Sequence, residues 1–397
     1  MIKHLFKLIW NKKKQNFLLI TEIFISFLVI FGVFTSLVYY YRNYKKPMGL
    51  TYNNVWVINF QNNKQFHNTD SVTQYYATLT AMLKNMPQIK TLSYASSNIP
   101  FTSSTSTTRL IYKGQEIRPI NFYRVGDNYS EAFNMNLLEG RWFNHDDVVS
   151  SNRPVVINAS LKESLFGNGR ALGQLIDDSH DDKHVRKIKV IGVVQDVKDK
   201  GDYLPSGMAM YNRVDTSDMR YIGKLVIKVS PDADAAFESK LYKAVAGYMK
   251  EASVEIEHFS KKRESTNRST LIPIIIFSIV AAFLIINVSL GIFGVLWYNI
   301  NRRRSEIGLR RAVGASGGSV SEQLISESLI LTTFSLIIGV FFAIQFPLLN
   351  VFNMAASTYV MAMFLAVAFI YLLVFLCSLY PGRQAAAIYP AVALHEE

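Results

Sequence analysis

The chain has 397 residues, of which 50% are hydrophobic and 18% charged, and its formal net charge is +12. The cationic excess lies beside long apolar runs, where Lys and Arg mark the cytoplasmic side of a membrane protein, so the charge does not signify nucleic-acid binding. A conventional soluble enzyme is excluded by the same runs, since four stretches exceed the ~20 residues that a helix needs to cross a bilayer.

Residues 1–16 set Ile2, Leu5, Phe6, Ile9 and Trp10 among lysines, the pattern of an amphipathic helix lying on the inner leaflet of a membrane. The first apolar run, 17–41, holds one charge, Glu22, about a turn from its inner end. No small-x-small cleavage site closes this run; Tyr39, Tyr40 and Tyr41 form an interfacial belt instead, and the segment is expected to stay attached. The further runs cover 271–298, 323–346 and 358–380, with Asn287 inside the second and Glu327 early in the third. Lys3, Lys7, Lys12, Lys13 and Lys14 precede the first run, and Arg302, Arg303, Arg304, Arg310 and Arg311 follow the second. Both clusters belong on the inner face. This places 42–270 outside, 299–322 inside, 347–357 as a short outer loop, and the tail 381–397 inside.

The outer block 42–270 reads as ordinary globular material. It has no cysteine, since Cys377 is the only one in the chain, and it is long enough to build a core without disulfides. Its first part alternates as a strand from Asn54 to Phe60, then shows helical spacing from an N-cap at Asp70 to Met86, then a strand from Ile89 to Tyr94. The far end repeats the order with a strand at 224–229, a helix at 231–249 and a strand at 254–259. Each βαβ unit has an unsatisfied apolar face, so the two are expected to pack as one split α+β subdomain, 50–98 plus 220–262. A mostly β subdomain, 99–219, is inserted between them. It includes a hairpin turning at Lys113-Gly114, a strand at 154–158, a short helix to Phe166 and a strand at 187–197. The polar stretch 258–270 reads as a stalk into the second run, with Pro273 able to kink its continuation. The fold class is thus an α-helical membrane protein of four transmembrane helices, with a large α+β domain between the first and second.

Candidate sites are few. Asp177, Asp178, His180, Asp181, Asp182 and His184 are the weak metal candidate, and a solvated hairpin tip is the default reading, so no metal site is assigned. No nucleophile–histidine arrangement suggests catalysis, and none of the 397 residues forms the G-x-x-x-x-G-K-[ST] phosphate loop. The informative segment is 302–316, RRRSEIGLRRAVGAS. Arg302 and Arg310 flank Glu306 at four-residue spacing, Gly314 offers a stop, and Ser319 with Glu322 reads as a capping box for the next helix. A short inner helix strung between two membrane helices can pass on a push; a basic loop touching lipid phosphates fits the spacing equally well.

This segment resembles the pattern R-x-x-E-I-G-[IL]-R-[RK]-A-[LV]-G-A of the MacB/FtsX family of ABC-transporter permeases. The tail YPGRQAAAIYPAVAL (380–394) is similar to that family's closing motif, and LEGRWF (138–143), PVVIN (154–158), LFG (165–167) and VIGVVQD (190–196) follow in the same order. The resemblance spans essentially the whole chain. It implies a bacterial inner-membrane permease with both termini cytoplasmic and a periplasmic domain. It also implies a dimer of two permease chains, identical or homologous. Arg302, Arg303, Arg304, Glu306, Ile307, Gly308, Leu309, Arg310, Arg311 and Gly314 would form the coupling helix seated on a cytoplasmic ATPase, and Glu327 matches a glutamate common at its position. The chain departs from MacB in carrying no ATPase motif, so a separate subunit is expected to use the ATP and Mg, with no cofactor in this chain. The implied role is ATP-driven movement of the periplasmic domain for efflux, with a periplasmic adaptor and an outer-membrane channel as partners. Lipoprotein release and control of cell-wall hydrolases are the family's alternatives. A membrane sensor without transport is the alternative from another class.

Overall fold

The computed structural model describes residues 13–62, 66, 68–150, 152–179, 185–215 and 218–387. Most of the amphipathic N-terminal segment, His180 and His184, and the last part of the tail motif lie outside the described residues. In chain order the elements are α1 (Lys13–Lys45), β1 (Val55–Asn62), α2 (Thr69–Lys84), β2 (Ile89–Ser96), β3 (Thr107–Tyr112), β4 (Gln115–Val125), β5 (Leu137–Gly140), β6 (Arg153–Asn158), α3 (Ala159–Phe166), β7 (Leu175–Ser179), β8 (Val185–Val194), β9 (Ala209–Arg213), β10 (Ile222–Val229), α4 (Ala235–Tyr248), β11 (Ala252–His258), α5 (Phe259–Arg302), α6 (Arg304–Ala312), α7 (Gly317–Ala343) and α8 (Ala356–Ala386). The chain divides into two compact units. One is Asn43–Thr270; the other comprises the described residues up to Arg42 and from Leu271 onward.

In the first unit the two βαβ segments interleave. The strand order is β11-β1-β10-β2, with every neighbour antiparallel, the arrangement of a ferredoxin-like split βαβ sheet. Strand alternation explains how both faces are used. Trp56, Ile58 and Phe60 point to α2 and α4, where Leu79, Leu83, Leu241 and Val245 are fully buried, while Val55 and Val57 face a second core with Tyr129, Phe133 and Phe259. Each fully buried Leu or Val contributes about 1.5–3 kcal/mol relative to exposure. Asp234 caps α4 by accepting from the Phe237 amide at 2.8 Å. Asp70 does not cap α2. Asn68 does, accepting from Ser71 N at 2.8 Å, and the helix therefore starts earlier than the sequence suggests.

The inserted segment closes on itself. β4-β3-β7-β8-β6-β9 are neighbours in that order, and β9 returns to pair in parallel with β4, from Asn121↔Ala209 to Val125↔Arg213. The result is a six-stranded ring, with β5 added beside β8. Leu110, Ile120, Val155, Ile157, Ile188 and Met210 fill one of its cores. The Lys113-Gly114 hairpin turn has both residues at positive φ, 50° and 79°, the twist that two-residue hairpins favour. Ring and four-stranded sheet share a ladder contact at Ala95↔Val125.

In the second unit α1, α5, α7 and α8 are the described helices long and apolar enough to cross a membrane. Buried Leu19, Ile23, Phe27 and Ile30 on α1 meet a stripe of Tyr359, Ala362, Ala366, Ile370 and Val374 on α8. The small residues of that stripe let the α8 backbone approach α7 closely, while the large side chains of α1 pack over the pair. α5 differs: only 6% of its most apolar window is buried against the rest of the chain, against 22–33% in the other three. Pro273 lies within α5 without ending it. α7 begins at Gly317, so part of the expected 299–322 loop is already helix; its cap is Ser316, accepting from Ser319 N at 3.2 Å, and not Ser319. α8 runs through Pro381 to Ala386, which makes the start of the expected tail helical.

Candidate functional site

Within 302–316, Arg304–Ala312 form a helix of their own, and the break before it comes at Arg303, which has neither a Gly nor a Pro beside it. Ile300, Ile307, Val320 and Ala385 are buried together, holding α6 between the ends of α5, α7 and α8. The helix stops in a Schellman turn. Gly314 N donates to Arg311 O at 3.1 Å, Ala315 N to Arg310 O at 3.0 Å, and Gly314 sits at φ +106°. Its role as a stop is that of a left-handed residue that only glycine adopts without cost.

Five side chains close a polar ring between α6 and α7. Arg303 donates to Glu327 at 2.8 Å and to Glu306 at 3.1 and 3.3 Å; Arg310 donates to Glu306 at 2.6 Å and to Gln323 at 2.9 Å; and Gln323 donates to Glu327 at 3.0 Å. Every member is satisfied by its neighbours, which makes the ring directional and stiff. Burial works against the Arg303 charge, but its hydrogen bonds to Glu306 and Glu327 and their charges outweigh that and hold its pKa above the usual guanidinium value. Arg311 donates to the Ala386 carbonyl near the end of α8.

The expected Arg302–Glu306 pair is absent. Arg302 ends α5 and is exposed, so it does not lie on one continuous helix with Glu306; Arg303 takes its place at i,i+3. Arg304 is half-buried at the first position of α6, and Ile307 and Gly308 face inward. The opposite side carries Ser305, Leu309, Ala312 and Val313, all exposed, with Leu309 at 56% and Val313 at 82%. Two large apolar side chains thus stand out from an otherwise charged helix. Gln323 was not singled out in the sequence; its four-residue spacing from Glu327 is the signal that could have found it.

The intramembrane candidates separate. Glu327 belongs to the ring. Asn287 donates to its own helix at Phe283 O, 2.8 Å, and makes no cross-helix bond. Glu22 packs against the bare backbone of Gly291, where an added Cβ would fall 1.8 Å from its Oε1. Among the described residues no group of three or more His, Cys, Asp or Glu could hold a metal ion, and the His180–His184 candidate lies outside them.

The profile described as MacB-like periplasmic core domain matches residues 21–242, and that described as FtsX-like permease C-terminal matches 276–390. The chain is 26% identical over 257 residues to the macrolide export ATP-binding/permease protein MacB of Aggregatibacter actinomycetemcomitans, covering 62% of this chain and 38% of that protein. It is 26% identical over 318 residues to the protein of the same name from Chromobacterium violaceum, covering 77% and 47%. The chain therefore spans less than half the length of these relatives. The crystal structure of the periplasmic region of MacB from Actinobacillus actinomycetemcomitans aligns over 57% of this chain and 98% of that one, at 20% identity and a TM-score of 0.40.

Proposed function

This chain belongs to the MacB/FtsX family of ABC-transporter permeases, and on that premise we propose that it converts ATP hydrolysis, performed by an ATPase lying outside these 397 residues, into movement of its Asn43–Thr270 unit. The movement would drive export from the periplasmic side; the MacB relatives are named for macrolide export. The arginine-rich segment would face the cytoplasm, where the five arginines and the N-terminal lysines belong. Residues of the ATPase would receive Leu309 and Val313, and supply the ATP and Mg chemistry.

One observation carries the reading. The closed ring of Arg303, Glu306, Arg310, Gln323 and Glu327 ties the inner side of α6 to α7, while the outer side offers an exposed apolar ridge. A helix so held cannot be displaced without pulling on the membrane helices around it. The bare apolar flank of α5 supports pairing with a second permease chain, since a helix apolar all round is covered by lipid or by another helix.

Leu309→Glu and Val313→Glu test the docking ridge. Truncated or charged anchors at the centre of an interface cost about 2 kcal/mol or more, so capture of the ATPase by the affinity-tagged chain is expected to fall by at least about tenfold. Undiminished capture by both variants would overturn the assignment. If adaptor and exit-channel proteins co-purify, export stands; a lipoprotein chaperone or a hydrolase in their place would redirect the function within the family.

A further inference from the structure

Segment 196–203, between β8 and β9, lies wholly within the Asn43–Thr270 unit and is tied at both ends. On the ring side, Asp196 accepts from Ser160 N at the start of α3 at 2.9 Å, and Asp199 accepts from Asn121 at 3.0 Å and Tyr123 at 3.3 Å on β4. On the other side the segment grips two chain segments that continue into membrane helices. Lys198, 3% exposed, donates its ammonium to the carbonyls of Asn43, in the last turn of α1, and of Asp202. Asp202, 5% exposed, receives both Nε and Nη2 of Arg263 in the first turns of α5, and its amide donates to Asn267 Oδ1 at 2.9 Å. Tyr203 stacks on Tyr44 with ring centroids 5.6 Å apart and planes 17° off parallel.

These ties are directional. A buried ion pair is often replaceable by hydrocarbon without loss of stability, so its presence is better explained by fixing position than by adding energy. Burial pulls the Lys198 pKa below the usual lysine value, yet the side chain spans the exit of α1 and the loop that holds α5. Gly201, at φ +94°, leaves room for this approach, because a Cβ there would lie 2.6 Å from Asn267 Oδ1. α1 and α5 are the same helices that run to Lys13 and to Arg302.

We propose that segment 196–203 is the joint that delivers displacement of α1 and α5 to the six-stranded ring, with Lys198 and Asp202 as its positioning residues. The proposal rests on the mechanically driven permease reading above.

The test uses the full chain with its co-purified ATPase in liposomes, in a Cys377→Ser background, with spin labels at Glu163→Cys on α3 and Tyr298→Cys near the inner end of α5. Separation of the labels is measured with and without ATP. In the otherwise unaltered protein ATP is expected to shift the distance distribution. Lys198→Met is expected to cut the shifted population at least about threefold while ATP hydrolysis stays within about twofold, the size of effect that network residues exert on coupling. Asn267→Ala removes a single hydrogen bond at a half-exposed site, so it keeps the test open if Lys198→Met misfolds; it should reduce the shift in the same direction at an unchanged melting temperature. A full shift in every folded variant would overturn the joint and leave the permease reading intact. No shift in the unaltered protein would remove both. Parallel loss of hydrolysis and movement would mark a merely structural role and also refute the joint.

Discussion

The clasp between α6 and α7 has a measurable strength. Arg303 and Glu327 are 2.8 Å apart, with side chains only 15% and 17% exposed, so water compensates little for a lost partner. Replacing Arg303 by Leu leaves Glu327 with Gln323 alone and removes two bonds from Glu306. A hydrogen bond to a charged group contributes about 1.5–3 kcal/mol, and leaving its partner uncompensated adds to the loss. Arg303→Leu should therefore cost about 3 kcal/mol and Glu327→Leu, which leaves Arg303 its Glu306 contacts, about 2 kcal/mol. With both replaced by hydrocarbon no orphaned charge remains at the pair, and the double variant should cost no more than the worse single one, a coupling energy of about 2 kcal/mol. Cys377 provides the readout, as the only thiol in the chain and half-buried on α8. Its labelling by a water-soluble maleimide across a denaturant titration in detergent reports opening of this unit. A coupling no larger than the ~0.5 kcal/mol of an exposed helical pair would refute the claim that the ring fastens α6 to α7.

Further expectations follow from single sites. Gly314→Ala meets no steric neighbour within 4 Å, but it places a Cβ at φ +106°; the cost should be about 1–2 kcal/mol of backbone strain, with Asn partly restoring stability in the same thiol assay. Gly291→Ala should displace Glu22 and lower the yield of folded protein, and Glu22→Ala should relieve the effect. Independent, additive losses would contradict the close approach of these two positions. Burial pushes Tyr75 up to about 12 and also raises Tyr94, Tyr123, Tyr129 and Tyr211. These phenols are neutral in the folded chain over a range where unfolded tyrosines ionise near pH ~10. Their contribution is complete below that pH and is lost as pH rises toward the folded values. Tyrosinate absorbance should thus rise in two steps in an alkaline titration, exposed phenols first and the buried group only together with unfolding; a complete rise before unfolding would disprove their burial.

Local pattern carried much of this protein. Apolar runs longer than a bilayer is thick, strands that alternate and helices with 3.6-residue spacing are written residue by residue, and they announced the four long helices and the two βαβ segments. The helix at 304–312 was legible only in part, because the spacing of Glu306 and Arg310 fits a short helix and a basic loop equally well and packing decides for the helix. Three features were not legible. The parallel return of β9 onto β4 joins residues some 90 positions apart in the chain, and no local period records it. The choice of Arg303 over Arg302 as the partner of Glu306 depends on a helix break without a breaker residue, imposed by packing among Ile300, Ile307, Val320 and Ala385. Lys198 and Asp202 sit in a polar loop that reads as surface, and only folding carries Asn43 and Arg263 to either side of it. Periodicity is a property of neighbours in the chain; burial, closure and charge pairing belong to neighbours in space.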